Sequence, residues 1–274
     1  MLKDIPIIAH KISYKAGFKK IIDNISLVLR KNEFVGVIGG SGSGKTTLMT
    51  CLNGIRKISS GKVILNGEKI SNTAAISKLI GYVPQDDIVH KSLSVERALY
   101  FSYLLRLNKD IPDKEVYQEV GKVLDLLDLK EHKNKKISSL SGGQRKRVSI
   151  GLELLHSPNI FFLDEPTAGL DPGLERQLMR LLADIANEQR VIMVSTHLMQ
   201  NVDLFDVLIF MHKGKLIYCG PVNAIMPYFK VNNMFEIYDK VNEVESSILY
   251  ANYLQSSLYQ GFIGKRLVEV AHLL

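Results

Sequence analysis

The stretch that most constrains this chain is GGSGSGKT, residues 39–46, which directly follows the apolar run FVGVIG. It fits the pattern of a glycine, any four residues, then glycine, lysine and serine or threonine, and a hydrophobic strand before it is the context that pattern requires. Glycines let successive backbone N–H groups turn inward around phosphate oxygens, and a helix starting near Lys45 adds the positive end of its dipole. Gly39, Gly40, Ser41, Gly42, Ser43, Gly44, Lys45, Thr46 and Thr47 are therefore expected to hold phosphates, with Lys45 on the terminal ones and Thr46 on Mg²⁺. That narrows the chain to a purine nucleoside triphosphatase or a kinase.

The rest of the composition sets bounds. At 274 residues, 46% of them apolar, the chain has material for one large domain or two modest ones around a buried core. A formal charge of +7 and a pI near 9.2 favour anionic partners: nucleotides, nucleic acid or an anionic membrane surface. Cys51 and Cys219 lie far apart with no metal-ligand spacing, which excludes a disulfide framework or a zinc site and fits a reducing compartment. The opening MLKDIPIIAHKISY has no continuous apolar core or cleavage pattern, so no export signal is expected. VIMVSTHLMQNVDLFDVLIFM comes nearest to a membrane span but is broken by His197, Gln200, Asn201, Asp203 and Asp206. Work at a membrane would need another spanning element.

To about residue 90 the chain reads as short strands, FVGVIGG, GKVILNGEKI and LIGYVPQ, with one helix from near Lys45. From Ser94 to about Leu155 the period changes. Val116, Val120, Val123, Leu124 and Leu127 fall on one helical face after a Pro112–Asp113 start, which predicts a mostly helical insertion. NIFFLDE, RVIMVST and DVLIFMHKGKLIYCG then return as strands, separated by the helical LERQLMRLLADIANEQ and a shorter helix after His197. Such alternation predicts a parallel sheet with helices packed on it. After Pro221 comes a tail rich in Tyr, Asn and Ser, with helical stretches and no chemical signature.

In NIFFLDEP, Asp164 and Glu165 fall at the carboxyl end of a buried strand, the edge where parallel α/β sheets place their chemistry. Beside a phosphate loop, Asp164 is the candidate to hold Mg²⁺ through its water shell, and Glu165 the candidate base for a water attacking a γ-phosphate. His197 in VIMVSTHL and Gln85 in GYVPQDD also follow apolar strands directly; each is either a structural hydrogen-bonder or a group within reach of a γ-phosphate.

Residues 138–148, SSLSGGQRKRV, set two glycines behind serines and follow them with Arg145, Lys146 and Arg147. Alone, the patch reads as a flexible loop, a basic nucleic-acid contact or a phosphate site at a helix start. Taken together, GGSGSGKT, GYVPQ, LSGGQ, FFLDEP, GLD and STH resemble, in order and approximate spacing, the nucleotide-binding domain of ABC ATPases over about residues 5–220. No element like LSGGQ stands between the phosphate loop and the acidic strand in other P-loop families. VPQDDIVHKSLSVERALYFSYLLRL, LSGGQRKRVSIGLELL and LDEPTAGLD resemble the White, or eye-pigment, subfamily of ABC transporters and its bacterial relatives.

The resemblance implies an α/β fold: a P-loop ATPase core with a mainly parallel sheet, an N-terminal antiparallel β subdomain and an α-helical subdomain inserted at about 86–155. These make up residues 1–220, and the tail 221–274 resembles the linker that precedes a membrane domain. It implies ATP and Mg²⁺, with Glu165, His197, Gln85 and Lys45 as the catalytic set and Thr46, Gln85 and Asp164 around the metal. His197 resembles the switch histidine, Gln85 the Q-loop glutamine and Asp171 of GLDP the D-loop aspartate. An aromatic ring is expected against adenine, Tyr14 first and Phe18 as the alternative. With one phosphate loop and one LSGGQ per chain, two copies are expected to pair head to tail, Ser141, Gly142, Gly143 and Gln144 of one completing the ATP site of the other. The implied partners are that second ATPase domain and a membrane-spanning subunit, on the cytoplasmic face and, by analogy, for export; no nucleic acid is expected. The alternative is a soluble ABC ATPase acting on nucleic acid or ribosomes, which the positive charge suits, although neither inserted coiled coils nor a second cassette is present. A small-molecule kinase leaves LSGGQ unexplained. Arg145, Lys146 and Arg147 oppose the dipole of the helix they begin, so they read either as solvated or salt-bridged surface or as part of a field attracting ATP.

Overall fold

A computed structural model describes residues 6–70, 80–107, 111–197 and 200–274. The chain opens with antiparallel strands β1 (Ile7–Ala16) and β2 (Lys19–Leu29). β3 (Glu33–Ile38) runs into the phosphate loop and α1 (Lys45–Leu52), after which β4 (Ser60–Leu65) and β5 (Glu68–Lys69) complete a four-stranded antiparallel sheet in the order β2-β1-β4-β5. β6 (Ile80–Val83) precedes three helices, α2 (Val95–Leu107), α3 (Asp113–Leu126) and α4 (Gly142–Leu154). β7 (Ile160–Asp164), α5 (Pro172–Ala186), β8 (Val191–Ser195), β9 (Val207–His212) and β10 (Lys215–Pro221) follow. The second sheet has six strands in the order β10-β9-β3-β8-β7-β6, parallel throughout except for the β9/β10 hairpin.

β3 shows why this sheet sits at the centre. All six of its residues are buried. Phe34 and Ile38 face the cluster containing Leu178, Leu182 and Ile185 of α5, whereas Val35 and Val37 face Leu48, Met49 and Leu52 of α1. Side chains alternate faces along a strand, so a sheet covered on both sides needs an unbroken apolar run. FVGVI supplies it.

The insertion is helical. Val116, Val120, Val123 and Leu124 of α3 are buried, as is Leu127 just past its end. Gly151 of α4 lets three helices close: a Cβ there would stand 2.8 Å from Leu127 and 3.2 Å from Leu99. The shorter helix expected after His197 begins at residues outside those described, and a 3₁₀ turn at Val202–Leu204 follows.

Beyond β10, α6 (Ile225–Phe229), α7 (Met234–Glu243), α8 (Ser246–Gln255) and a helical run over 257–269 fold back over the strands. Tyr253 is fully buried and its hydroxyl donates to the Cys219 carbonyl at 2.6 Å; Arg266 pairs with Glu33 at 2.7 Å. Among the described residues no helix is long and apolar enough to cross a membrane.

Candidate active site

The carboxyl ends of β3, β7 and β8 meet at one edge of the parallel sheet. A cleft of about 680 Å³ opens there, lined by Ser41, Gly42, Ser43, Gly44, Lys45, Thr46, Thr47, Gln85, Glu165 and His197, with Lys19 and Ile21 on its far wall. The sequence-predicted phosphate loop, Q-loop glutamine, acidic strand end and switch histidine thus converge on one space.

The loop enters α1 through Gly44, which has a φ of 105°. α1 has no side-chain cap and no acidic residue in its first turn, so its leading N–H groups face the cleft with no partner among the described residues. The Lys45 ammonium lies over the loop, donating to the Gly39 carbonyl at 2.8 Å and the Gly40 carbonyl at 3.2 Å. Burial holds Lys45 below the usual lysine pKa, and the nearby Glu165 and Asp164 carboxylates only partly offset this. The Ser43 hydroxyl is buried without a partner among the described residues, and Thr46 is exposed at the cleft floor. These are the donors a chain of phosphates would take.

The loop is braced from outside. The Gly214 N–H, at the tip of the β9/β10 hairpin, donates to the Ser43 carbonyl at 2.9 Å, and the Gly214 carbonyl accepts from Asp23 N–H at 3.0 Å. Only glycine fits there: φ is +79°, and a Cβ would lie 2.4 Å from the Ile21 carbonyl oxygen.

At the acidic edge, Asp164 is 4% exposed and pairs in register with Ser195. The Ser195 hydroxyl donates to the Asp164 carboxylate and accepts the Glu165 N–H at 2.9 Å. Glu165 itself sits at a φ of 45°, a left-handed turn that a glutamate adopts at a cost, and this swings its carboxylate toward the cleft. His197 Nδ1 lies 3.5 Å from Glu165 Oε2. Among the described residues there is no cluster of three or more His, Cys, Asp or Glu side chains able to cage a metal. One hydroxyl, Thr46, and one buried carboxylate, Asp164, near phosphate-binding groups instead suit Mg²⁺, which keeps waters and shares substrate phosphates.

Of the predicted residues, Ser141, Gly142, Gly143, Gln144, Asp171 and Tyr14 lie outside this cleft. Ser141 caps α4 in a capping box: its hydroxyl accepts Gln144 N–H at 3.3 Å and its own N–H donates to Gln144 Oε1 at 3.1 Å. Ser141, Gly142, Gly143 and Gln144 do not line the cleft. Asp171 caps α5, accepting the N–H groups of Gly173 at 3.0 Å and Leu174 at 3.1 Å, and it too is outside the cleft. Tyr14, the first choice for the ring against adenine, does not line the cleft either. Its half-buried ring packs on the core beneath the Arg56 guanidinium, 5.6 Å from the centroid, because its position in β1 turns it toward α1. The fully exposed ring next to cleft-lining Lys19 is Phe18. Ser195, Lys19 and Gly214 were missed from sequence; of these only Ser195, between an apolar strand and His197, had a readable position.

A phosphate-cradling loop and a pair of carboxylates at the carboxyl edge of a parallel sheet define a P-loop ATPase. The model of the ABC transporter family matches residues 22–168, and the chain belongs to that family as its ATP-binding ATPase domain. It is 40% identical over 227 residues to the ABC transporter ATP-binding/permease protein Rv1747 of Mycobacterium tuberculosis, covering 82% of this chain and 26% of that protein. It is 37% identical over 222 residues to ABC transporter G family member 5 of Oryza sativa subsp. japonica, covering 78% of this chain and 28% of that one. The chain thus spans about a quarter of these relatives' length. Among solved structures, cbiO1 of Clostridium perfringens, part of the ABC transporter complex cbiONQ, superposes with a TM-score of 0.76 at 28% identity, covering 90% of this chain and 98% of that one.

Proposed function

We propose that this chain is the ATP-driven motor of an exporter: it binds MgATP in the cleft, pairs head to tail with a second such domain, and drives a membrane-spanning partner from the cytoplasmic face. The observation that carries the reading is the split site. Gln85, Glu165 and His197 line the cleft with the phosphate loop, while the α4 N-terminus, capped by Ser141, lies outside it. Two copies facing each other would bring each α4 to the other's cleft. The similarity to a fused ATP-binding/permease protein and to G family transporters supports the membrane partner.

In the reaction, the loop N–H groups and the α1 N-terminus hold the phosphates, and the Lys45 ammonium offsets their charge as the γ-phosphoryl group departs. Mg²⁺ held by Thr46 and Asp164 would supply further neutralisation of the phosphate oxygens. The Glu165 carboxylate accepts a proton from the attacking water, which Gln85 orients. His197, beside Glu165, donates to the γ-phosphate oxygens. Ser195 holds the Asp164 carboxylate and the Glu165 backbone in place.

Glu165→Gln tests this directly. ATP binding, measured with a fluorescent analogue, should persist within about threefold while turnover falls by about 10²–10⁴-fold, the range of a lost general base. Size-exclusion chromatography with ATP should show a trapped dimer. A monomer under those conditions would overturn the shared-site reading.

A further inference from the structure

The basic streak on α4 contains a cation in the wrong place. Lys146 lies in the first half of the helix, where the dipole opposes positive charge, and it is only 5% exposed. Something must compensate a buried ammonium, and its three donors find three acceptors. Lys146 Nζ donates to the Gln85 carbonyl at 2.8 Å and the Pro84 carbonyl at 3.4 Å, and it pairs with Asp87 Oδ1 at 2.9 Å. Asp87 is held from the same helix twice more, by the Ser149 hydroxyl at 3.3 Å and Arg145 Nε at 3.8 Å. Arg145 also donates to the Leu140 carbonyl, whereas Arg147 turns elsewhere, to the Leu127 carbonyl at 3.2 Å and Asp128 at 3.4 Å.

We propose that Lys146 is a positioning residue that locks the Gln85 segment to α4, so that a nucleotide met by Gln85 in one cleft repositions the Ser141–Gly143 end offered to the other. The inference rests on the split-site reading above and adds the part that joins its halves. The gripped segment 84–87 carries Gln85, whose side chain lines the cleft; the gripping helix begins at Gly142, capped by Ser141. Two of the three contacts are to backbone carbonyls, so the hold is on the path of the chain rather than on one side chain. Moving Gln85 without moving α4 would strand a buried charge, which is the condition for transmission rather than slack.

Lys146→Met keeps the length and apolar stem and removes the charge; Asp87→Asn keeps the shape and removes the partner charge. In a Glu165→Gln background, either variant should bind ATP at the cleft within about twofold of its parent, while ATP-driven dimerisation weakens about tenfold, the scale of a typical coupling between sites. By hydrogen exchange and mass spectrometry, residues 84–88 should exchange faster, and the slowing of residues 142–146 on ATP addition should disappear. Lys146→Arg should recover a large part of both. If Lys146→Met dimerises as its parent does and keeps ATP-dependent protection at 142–146, the proposal is wrong, as it is if ATP affinity falls in step with dimerisation. Should Lys146→Met not fold, the Asp87→Asn readings decide by the same criteria. If the Glu165→Gln parent itself stays monomeric, the split-site reading fails, and the exchange of 142–146 on ATP binding to the monomer still decides whether Lys146 couples the two segments.

Discussion

Gly214 shows how one residue far from GGSGSGKT in sequence shapes the phosphate loop. Its N–H holds the Ser43 carbonyl, and the Ile21 carbonyl leaves no room for a side chain. Gly214→Ala should therefore cost about 1–3 kcal/mol, the range for a forced left-handed conformation, and should weaken nucleotide binding; urea unfolding and an ATP titration would show both. Phe18 and Tyr14 separate in the same experiment. Phe18 is free to stack on a base, so Phe18→Ala should lower ATP affinity by about 1–3 kcal/mol. Tyr14 packs on the core under Arg56, so Tyr14→Ala should lower stability and leave affinity nearly unchanged. Equal losses of affinity would refute the distinction. Spacing from the phosphate loop favoured Tyr14, but spacing does not reveal which way a strand residue faces once β1 is bulged between Ala9 and Lys15.

At the scale of elements, the helices that matter begin with side-chain caps, and α1 does not. Ser141 and Asp171 satisfy their own helix ends. Asp171→Ala should cost about 1 kcal/mol of stability through the lost cap, whereas Asp171→Asn should keep it. Any loss of ATP-dependent dimerisation in Asp171→Asn is then an interface effect, and comparing thermal melts with size-exclusion profiles separates the two. α1 leaves its N-terminus uncapped at the cleft. This contrast was legible in the sequence: Ser141 with Gln144 three residues on spells a capping box, and GSGKT puts a glycine where a cap would stand. The α3 face was equally legible, because Val116, Val120, Val123 and Leu124, with Leu127 just past the helix end, repeat at helical spacing and are buried. Pairings between distant elements were not. Nothing in RKR distinguishes Lys146, buried against the Gln85 segment, from Arg145 and Arg147 beside it.

For the molecule as a whole, the C-terminal helices and both sheets share buried clusters, with Tyr253 and Ile263 packed alongside residues of β1, β3 and β9. The two thiols report on that packing. Burial pushes the Cys51 pKa up to about 11 and the Cys219 pKa higher still, so at pH 8 neither carries an appreciable thiolate fraction. The folded protein should leave both unreacted with Ellman's reagent at pH 8, and the protein in urea should react at two sites. Raising the pH toward 11 should expose Cys51 first, since thiolate forms only as pH approaches the folded-state pKa. Prompt reaction of Cys219 in the folded protein at pH 8 would show a looser tail than the Tyr253 contact describes, and prompt reaction of Cys51 a looser α1.

The sequence by itself determined where the phosphate-loop pattern, the apolar strands and the helical faces run, because loop glycines, caps and periodicity are local and each is read within a few residues. Tertiary structure alone decided which groups meet. It turned Tyr14 into the core, set Ser195 between Asp164 and Glu165, placed Gly214 under the phosphate loop, and buried Lys146 against the Gln85 segment. Each of these depends on the direction of a side chain or backbone group across a gap of many residues, which register and packing fix and composition does not.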